Sequence, residues 1–141
     1  MSTPSPDPTP GKGTLRKRLI AERRALPDRD ERSARLERVL LVWLGEHQAL
    51  VIGAYWPIRG EFDPLPALGA WLRGAPGRRV GLPVIDPATQ CLGFRAWYPG
   101  CPMQDDAFGI PTPAGSEVVV PDLLLVPCVG FAPGGYRLGY G

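Results

Sequence analysis

One continuous apolar run, Leu-Val-Ile-Gly-Ala-Tyr-Trp at residues 50–56, constrains this chain more than any other feature. It has strand length and a β-favouring composition. A strand with one wet face alternates apolar and polar residues. One that is apolar throughout is buried on both faces, as in a parallel sheet covered by helices. The flanking segments supply helices. Leu15, Leu19, Ile20 and Leu26 share a broad side of a helix that starts near Lys12, while Lys12, Arg16 and Arg23 share another. Leu26-Pro27 ends it, because a residue before proline leaves helical geometry. Asp28 then caps a second helix, Glu31 completes a capping box, and Leu36, Val39, Leu40, Trp43 and Leu44 form the core stripe.

Further along, Asp63-Pro64 opens a third helix through Leu65, Leu68, Trp71 and Leu72 to Gly74. Residues 79–85, interrupted by Pro83, read as a second strand, and 91–97 as a third, at an edge. Residues 98–117 are turn-rich and read as irregular, and 118–126 hold a further strand broken at Pro121. The alternation of helix and strand predicts an α/β fold with a mostly parallel sheet. Residues 1–11, rich in proline and polar side chains, read as a disordered tail ahead of one domain over 12–141.

Composition excludes several functions. No stretch is long and apolar enough for a membrane span, and no basic segment followed by an apolar one opens the chain. The three cysteines (Cys91, Cys101, Cys128) have no paired spacing, so reduced thiols in a cytoplasmic protein are expected. With His47 as the only histidine, no metal-ligand cluster is visible. The net charge of +2 conceals an asymmetry, +4 over residues 1–40 and −2 over the rest. A basic amino-terminal segment suits a phosphate-bearing ligand, although a solvated helix face is the simpler account. No aromatic platform accompanies the arginines, so nucleic-acid binding is not expected.

Three places carry candidate chemistry. The last apolar run, Leu123 to Val126, leads through Pro127 and Cys128 into a stretch holding Gly130, Gly134, Gly135, Gly139 and Gly141 around Arg137. Backbone N–H groups and a guanidinium at a strand's carboxyl end can hold a polyphosphate. The pattern matches neither standard nucleotide fingerprint, and a flexible tail is the plainer alternative. Lys12 and Arg16, four apart on a helix, point the same way and can clamp an anion, or simply solvate the helix. Glu61, in the loop after the first strand and near Tyr55, Trp56 and Phe62, can accept from the amino face of a heterocycle; the alternative is an exposed loop acid. His47 reads as a partner for a helix C-terminus, and the cysteines as structural.

The ordered set of pieces resembles a known family. Lys12-x-x-Leu15-Arg16, Tyr55-Trp56-Pro57 followed by Glu61, Leu82-Pro83-Val84, Phe94-Arg95-Ala96-Trp97, Phe108-Gly109-Ile110-Pro111, and Val126-Pro127 through Phe131 into Arg137-Leu138-Gly139-Tyr140-Gly141 are similar to stretches of 5-formyltetrahydrofolate cyclo-ligase, also called 5,10-methenyltetrahydrofolate synthetase. The resemblance spans residues 12–141. It implies a three-layer α/β/α fold and an ATP- and Mg2+-dependent conversion of 5-formyltetrahydrofolate to 5,10-methenyltetrahydrofolate, with release of ADP and phosphate, by a monomer acting on small molecules.

Carried over residue by residue, the resemblance makes Lys12, Gly13, Thr14, Leu15, Arg16, Arg137, Leu138, Gly139, Tyr140 and Gly141 ATP contacts. Arg137 becomes the catalytic cation, Trp56, Glu61 and Trp97 become substrate contacts, and no metal ligand is assigned. Family members continue beyond the equivalent of Gly141, where their magnesium-binding aspartates lie. The expectation is therefore a chain incomplete at its C-terminus, either a cyclo-ligase or an inactive remnant that binds nucleotide or folate weakly. Cys128 also stands where the family's loop usually has a small glycine.

Overall fold

A computed structural model of the chain describes residues 11–139; the expected tail up to residue 10, Tyr140 and Gly141 lie outside the described residues. The chain divides into two compact units. One is Asp28–Val126, and the other joins the segment before Asp28 to the segment after Val126.

The larger unit is built on α2 (Arg29–Glu46), β1 (Val51–Gly53), α3 (Leu65–Arg73), β2 (Arg79–Ile85), β3 (Leu92–Trp97), β4 (Met103–Asp105), β5 (Pro111–Pro113), β6 (Val118–Val119) and β7 (Leu123–Leu124). Five of its strands form one sheet in the order β6-β3-β2-β1-β7. β1 runs parallel to both β2 and β7, whereas β2–β3 and β3–β6 are antiparallel. The sheet is therefore mixed rather than mostly parallel. The reason is local. Asp86 turns the chain back after β2, its N–H donating to the Cys91 carbonyl (3.0 Å) and its Oδ1 accepting from Ala88 N–H (2.9 Å). The six residues between Ile85 and Leu92 are too few for the crossover a parallel partner needs, so a hairpin results.

Alternation sets the two faces of this sheet. Ile52, Ala54, Val80, Leu82 and Trp97 join Leu65, Leu68 and Trp71 of α3 and Leu44 of α2 in one buried cluster. The opposite face is flattened at its centre by Gly53 and Gly81, which are register partners. A Cβ on Gly53 would lie 2.6 Å from Leu124 Cδ2 and 3.1 Å from Phe94 Cε1, and one on Gly81 would lie 3.0 Å from Phe94 Cβ. Phe94 thus fills the space the glycines leave. Asp122 fixes the start of β1, its two carboxylate oxygens accepting from Leu50 N–H and Val51 N–H, each at 3.1 Å.

α3 starts where proline places it. Pro64 supplies the fixed φ of the first turn, and Asp63 Oδ1 accepts from Leu65 N–H at 2.9 Å. α2 departs from the sequence reading in two ways. The expected capping box is not formed, because the Asp28 carboxylate instead accepts from Arg32 Nε at 2.9 Å. The expected core stripe narrows to Leu40 and Leu44, leaving Leu36 46% and Val39 63% exposed. His47 does meet the helix end, its Nδ1 2.8 Å from the Trp43 carbonyl oxygen. The stretch expected to be irregular carries a two-stranded ribbon, β4 with β5. The single strand expected across 118–126 is two short strands, β6 and β7, at opposite edges of the sheet. β3 consequently lies inside the sheet, not at its edge.

The second unit comprises α1 (Lys12–Ala25) and a hairpin of β8 (Gly130–Ala132) with β9 (Tyr136–Leu138). The glycine-rich end is thus a β-hairpin. Gly134 and Gly135 take φ of 87° and 83°, a left-handed pair that glycine adopts without steric cost and that closes a tight reversal.

Candidate functional site

In the smaller unit, α1 faces the hairpin. Leu15, Leu19 and Arg23 recur every four residues and, with Arg16 and Ile20, form the half-buried side of an otherwise exposed helix. Gly130 makes close approach possible, since a Cβ there would lie 2.9 Å from Leu19 Cδ1. Arg16 Nε donates to the Gly139 carbonyl at 2.7 Å, tying the helix to the strand's end. Between helix and hairpin lies a cavity of about 780 Å³, lined by Leu15, Leu19, Arg23, Cys128 to Ala132, and Tyr136 to Leu138. That size falls in the range of small-molecule sites.

The structure therefore brings Leu15, Arg137 and Leu138 to one cavity, with Arg16 and Gly139 joined beside it. Lys12, Gly13 and Thr14 form the exposed first turn of α1, whose N-cap is Gly11 without a side-chain cap. Tyr140 and Gly141 lie outside the described residues. The glycines expected to cradle phosphate serve the hairpin instead: Gly134 and Gly135 in its turn, Gly130 in a strand. Phe131 and Arg137 sit directly opposite each other across the hairpin, both exposed. Sequence reasoning missed Leu19, Arg23, Phe131 and Tyr136 as lining residues. The i, i+4, i+8 spacing from Leu15 was a usable signal for the first two; nothing in the sequence marked the others. Cys128 also lines this cavity, half-buried.

In the larger unit, the loop after β1 is closed upon itself. Glu61 N–H donates to the Ile58 carbonyl (3.0 Å), and Ile58 N–H donates to Glu61 Oε1 (2.7 Å). Arg59 and Gly60 turn the chain between them at φ of 52° and 76°. Two outside contacts hold the loop: Arg29 Nη2 donates to the Gly60 carbonyl at 3.1 Å, and Tyr55 OH donates to the Phe62 carbonyl at 2.8 Å. Glu61 is only 9% exposed, so it is not the surface acid of the plainer reading. Its Oε2 is buried with no hydrogen-bond partner. A buried carboxylate oxygen left unpaired is costly. Glu61 lines a cavity of about 300 Å³ together with Asp30, Ser33, Ala34 and Glu37 of α2, Phe62, Asp63 and Pro66.

Trp56 is half-buried and packs against the core cluster. Trp97 belongs to that cluster and is 8% exposed, which makes it a core side chain. Among titratable groups, the Asp28 carboxyl is held below its ordinary 3.8, chiefly by its hydrogen bond from Arg32. Among the described residues, no group of three His, Cys, Asp or Glu side chains is placed to hold a metal ion. No helix is long and apolar enough to cross a membrane.

The described residues thus form a mixed α/β chain with a cavity in each unit. Comparison with solved structures gives the class more sharply. The chain is similar to an NMR structure of the 5,10-methenyltetrahydrofolate synthetase of Aquifex aeolicus, with a TM-score of 0.73 and 29% identity, over 92% of this chain and 67% of that one. A 5,10-methenyltetrahydrofolate synthetase from Mycoplasma pneumoniae shares the fold at a TM-score of 0.69 and 22% identity, over 94% of this chain and 73% of that one. The resemblance to the 5-formyltetrahydrofolate cyclo-ligases read from the sequence motifs is borne out. No protein-family model matches the chain, and no curated protein sequence does.

Proposed function

We propose that this chain is a 5-formyltetrahydrofolate cyclo-ligase, converting 5-formyltetrahydrofolate and ATP to 5,10-methenyltetrahydrofolate, ADP and phosphate. The observation that carries the proposal is the 29% identity to the Aquifex synthetase across 92% of the chain. The three-layer arrangement, a monomeric state and a cytoplasmic setting belong to the same proposal.

The chemistry explains the need for two sites. Ring closure must expel the formyl oxygen, and hydroxide is a poor leaving group. Transfer of the γ-phosphoryl group to that oxygen, with ADP leaving, converts it to phosphate. N10 then attacks the formyl carbon and loses its proton, and phosphate departs as the C–O bond breaks. No protein nucleophile is required; positioning and charge stabilisation suffice. Lys12, Arg16 and Arg137 neutralise the phosphates, and the exposed first turn of α1 (Gly13, Thr14) adds unpaired N–H groups at a helix N-terminus. Leu15, Leu138 and the rest of the apolar lining hold the nucleoside, and Gly139, with Tyr140 and Gly141 after it, continues the contact. The Glu61 carboxylate accepts from the pterin's N–H groups, Trp56 offers a ring face, and Trp97 backs the site from the core. Magnesium accompanies the nucleotide phosphates as part of the substrate; no described cluster suits it as a resident ion, and no step is assigned to it.

The methenyl product absorbs in the near ultraviolet. Adding ATP to the chain with 5-formyltetrahydrofolate should raise that absorbance, with no rise when ATP is omitted. Binding of both ligands without product would instead favour the binding-only reading. A chain that neither binds nor turns over either ligand would refute the proposal.

A further inference from the structure

We infer that the outer face of α2 is a self-complementary docking surface, on which a second copy of this chain lays its own α2 antiparallel.

The helix carries more apolar side chains than the core uses. Leu40 and Leu44 turn inward, but Leu36, Val39, Val42 and Trp43 are 46%, 63%, 63% and 37% exposed. Leu36, Val39 and Trp43 fall at i, i+3 and i+7, so they form one stripe, with Val42 at its margin. Exposed Arg32 prolongs the stripe towards the helix start, and exposed Glu46 prolongs it towards the end. From Arg32 through Leu36, Val39 and Trp43 to Glu46 the spacing is four, three, four, three, the interval that keeps one seam of a helix against another. A wet helix face has no use for an apolar seam, and contiguous exposed apolar side chains mark places of association.

The charges at the two ends decide what associates. Pairing two copies of the helix antiparallel about Val39 sets Val39 against Val39, Leu36 against Val42 and Arg32 against Glu46, and brings Arg35 to the Trp43 ring. A parallel pair would set Arg32 on Arg32 and Glu46 on Glu46, and would align the two helix dipoles. One arrangement therefore satisfies both ends, and it serves both copies alike, as a two-fold contact requires. Arg32 is already steadied by Asp28 Oδ1 on its Nε at 2.9 Å, yet 58% of its side chain stays exposed. Residues 1–10 are no rival occupant, since beyond Met1 they hold only prolines and polar side chains.

One helix from each copy makes an interface at the small end for specific contacts. The apolar centre supplies the affinity, and the exposed Arg32–Glu46 pairs supply the orientation. The pair forms at high concentration and separates at assay dilution, where the single chain is the reacting species. The inference is independent of the folate reading.

The test is sedimentation velocity of the chain from about 5 to 500 μM, a span that brackets a weak interface. The mean mass should climb from one chain towards two. Val39→Glu opposes two carboxylates at the centre and should weaken association at least about tenfold, with circular dichroism confirming that the helix persists. Arg32→Glu and Glu46→Arg should each associate about fivefold more weakly alone, and an equal mixture of the two should recover the parent's association, because opposite charges then meet at both ends. A parent chain that stays single throughout refutes the inference, as does Val39→Glu associating within about twofold of the parent. A mixture that associates no better than either variant alone refutes the antiparallel seam. If the parent stays single but sediments with phosphatidylglycerol vesicles, the face takes a lipid surface and the second copy is wrong.

Discussion

Asp122 shows how much one side chain can organise. Its carboxylate accepts two successive N–H groups at the start of β1, a strand of only three residues. Those donors have no ladder partner further back, so Asp122 acts for a strand as a cap acts for a helix. Asp122→Ala should lower stability by about 1–2 kcal/mol, since two hydrogen bonds to a charged acceptor are lost at a partly solvated site. Urea unfolding with an unchanged m-value would check it. Asp122→Asn, which keeps one acceptor oxygen, should cost less. Glu61 is the contrasting residue. The sequence marks it as a carboxylate near aromatics, but its orphaned oxygen exists only because the Ile58 turn folds the side chain inward. The Asp30, Ser33 and Glu37 stripe was invisible for the opposite reason: read alone, it is an ordinary wet helix face.

At the level of elements, the paired glycines of β1 and β2 make the sharpest prediction. Gly81→Val would set its Cβ 2.7 Å from Val119 Cγ2 and 3.0 Å from Phe94 Cβ. Overpacking of this kind costs about 1–3 kcal/mol. The cost should shrink in the double variant Gly81→Val with Val119→Ala, which removes the Cγ2 in the way, and a thermodynamic cycle of thermal melts would show the coupling. α2 offers a pH test. The Asp28 carboxyl sits below 3.8 in the fold, so its pairing with Arg32 is fully in force above that value and fades as pH falls through the lower folded pKa. Helix ellipticity of the parent should therefore fall further over that acidic window than that of Asp28→Asn. The elements that were legible carried strong punctuation: Leu26-Pro27 after α1, Asp63-Pro64 before α3, and the β2 run up to Asp86. The β8–β9 hairpin was not legible, because glycines that suit a phosphate loop equally suit a reversal. The split into β6 and β7 was hidden because Pro121 reveals a break but not that the two halves pair at opposite edges.

Across the whole molecule, charge is unevenly placed. α1 carries six cations against one acid, Glu22, and it borders the larger cavity with Arg137. ATP affinity should fall steeply between roughly 0.05 and 0.5 M salt, as screening shortens the Debye length, while folate affinity at the acidic pocket changes little. Isothermal titration across that range separates the two; equal sensitivity of both ligands would contradict the division of labour. Arg16→Met should weaken ATP and leave folate unaffected. The fold class was readable from alternating helix and strand, but strand direction was not, because parallel and antiparallel neighbours share one apolar alphabet. The bond from Arg16 to Gly139 joins residues 123 positions apart. During synthesis α1 is made long before its hairpin, so a nascent chain carries that cationic segment unaccompanied while everything between Ala25 and Gly130 is added.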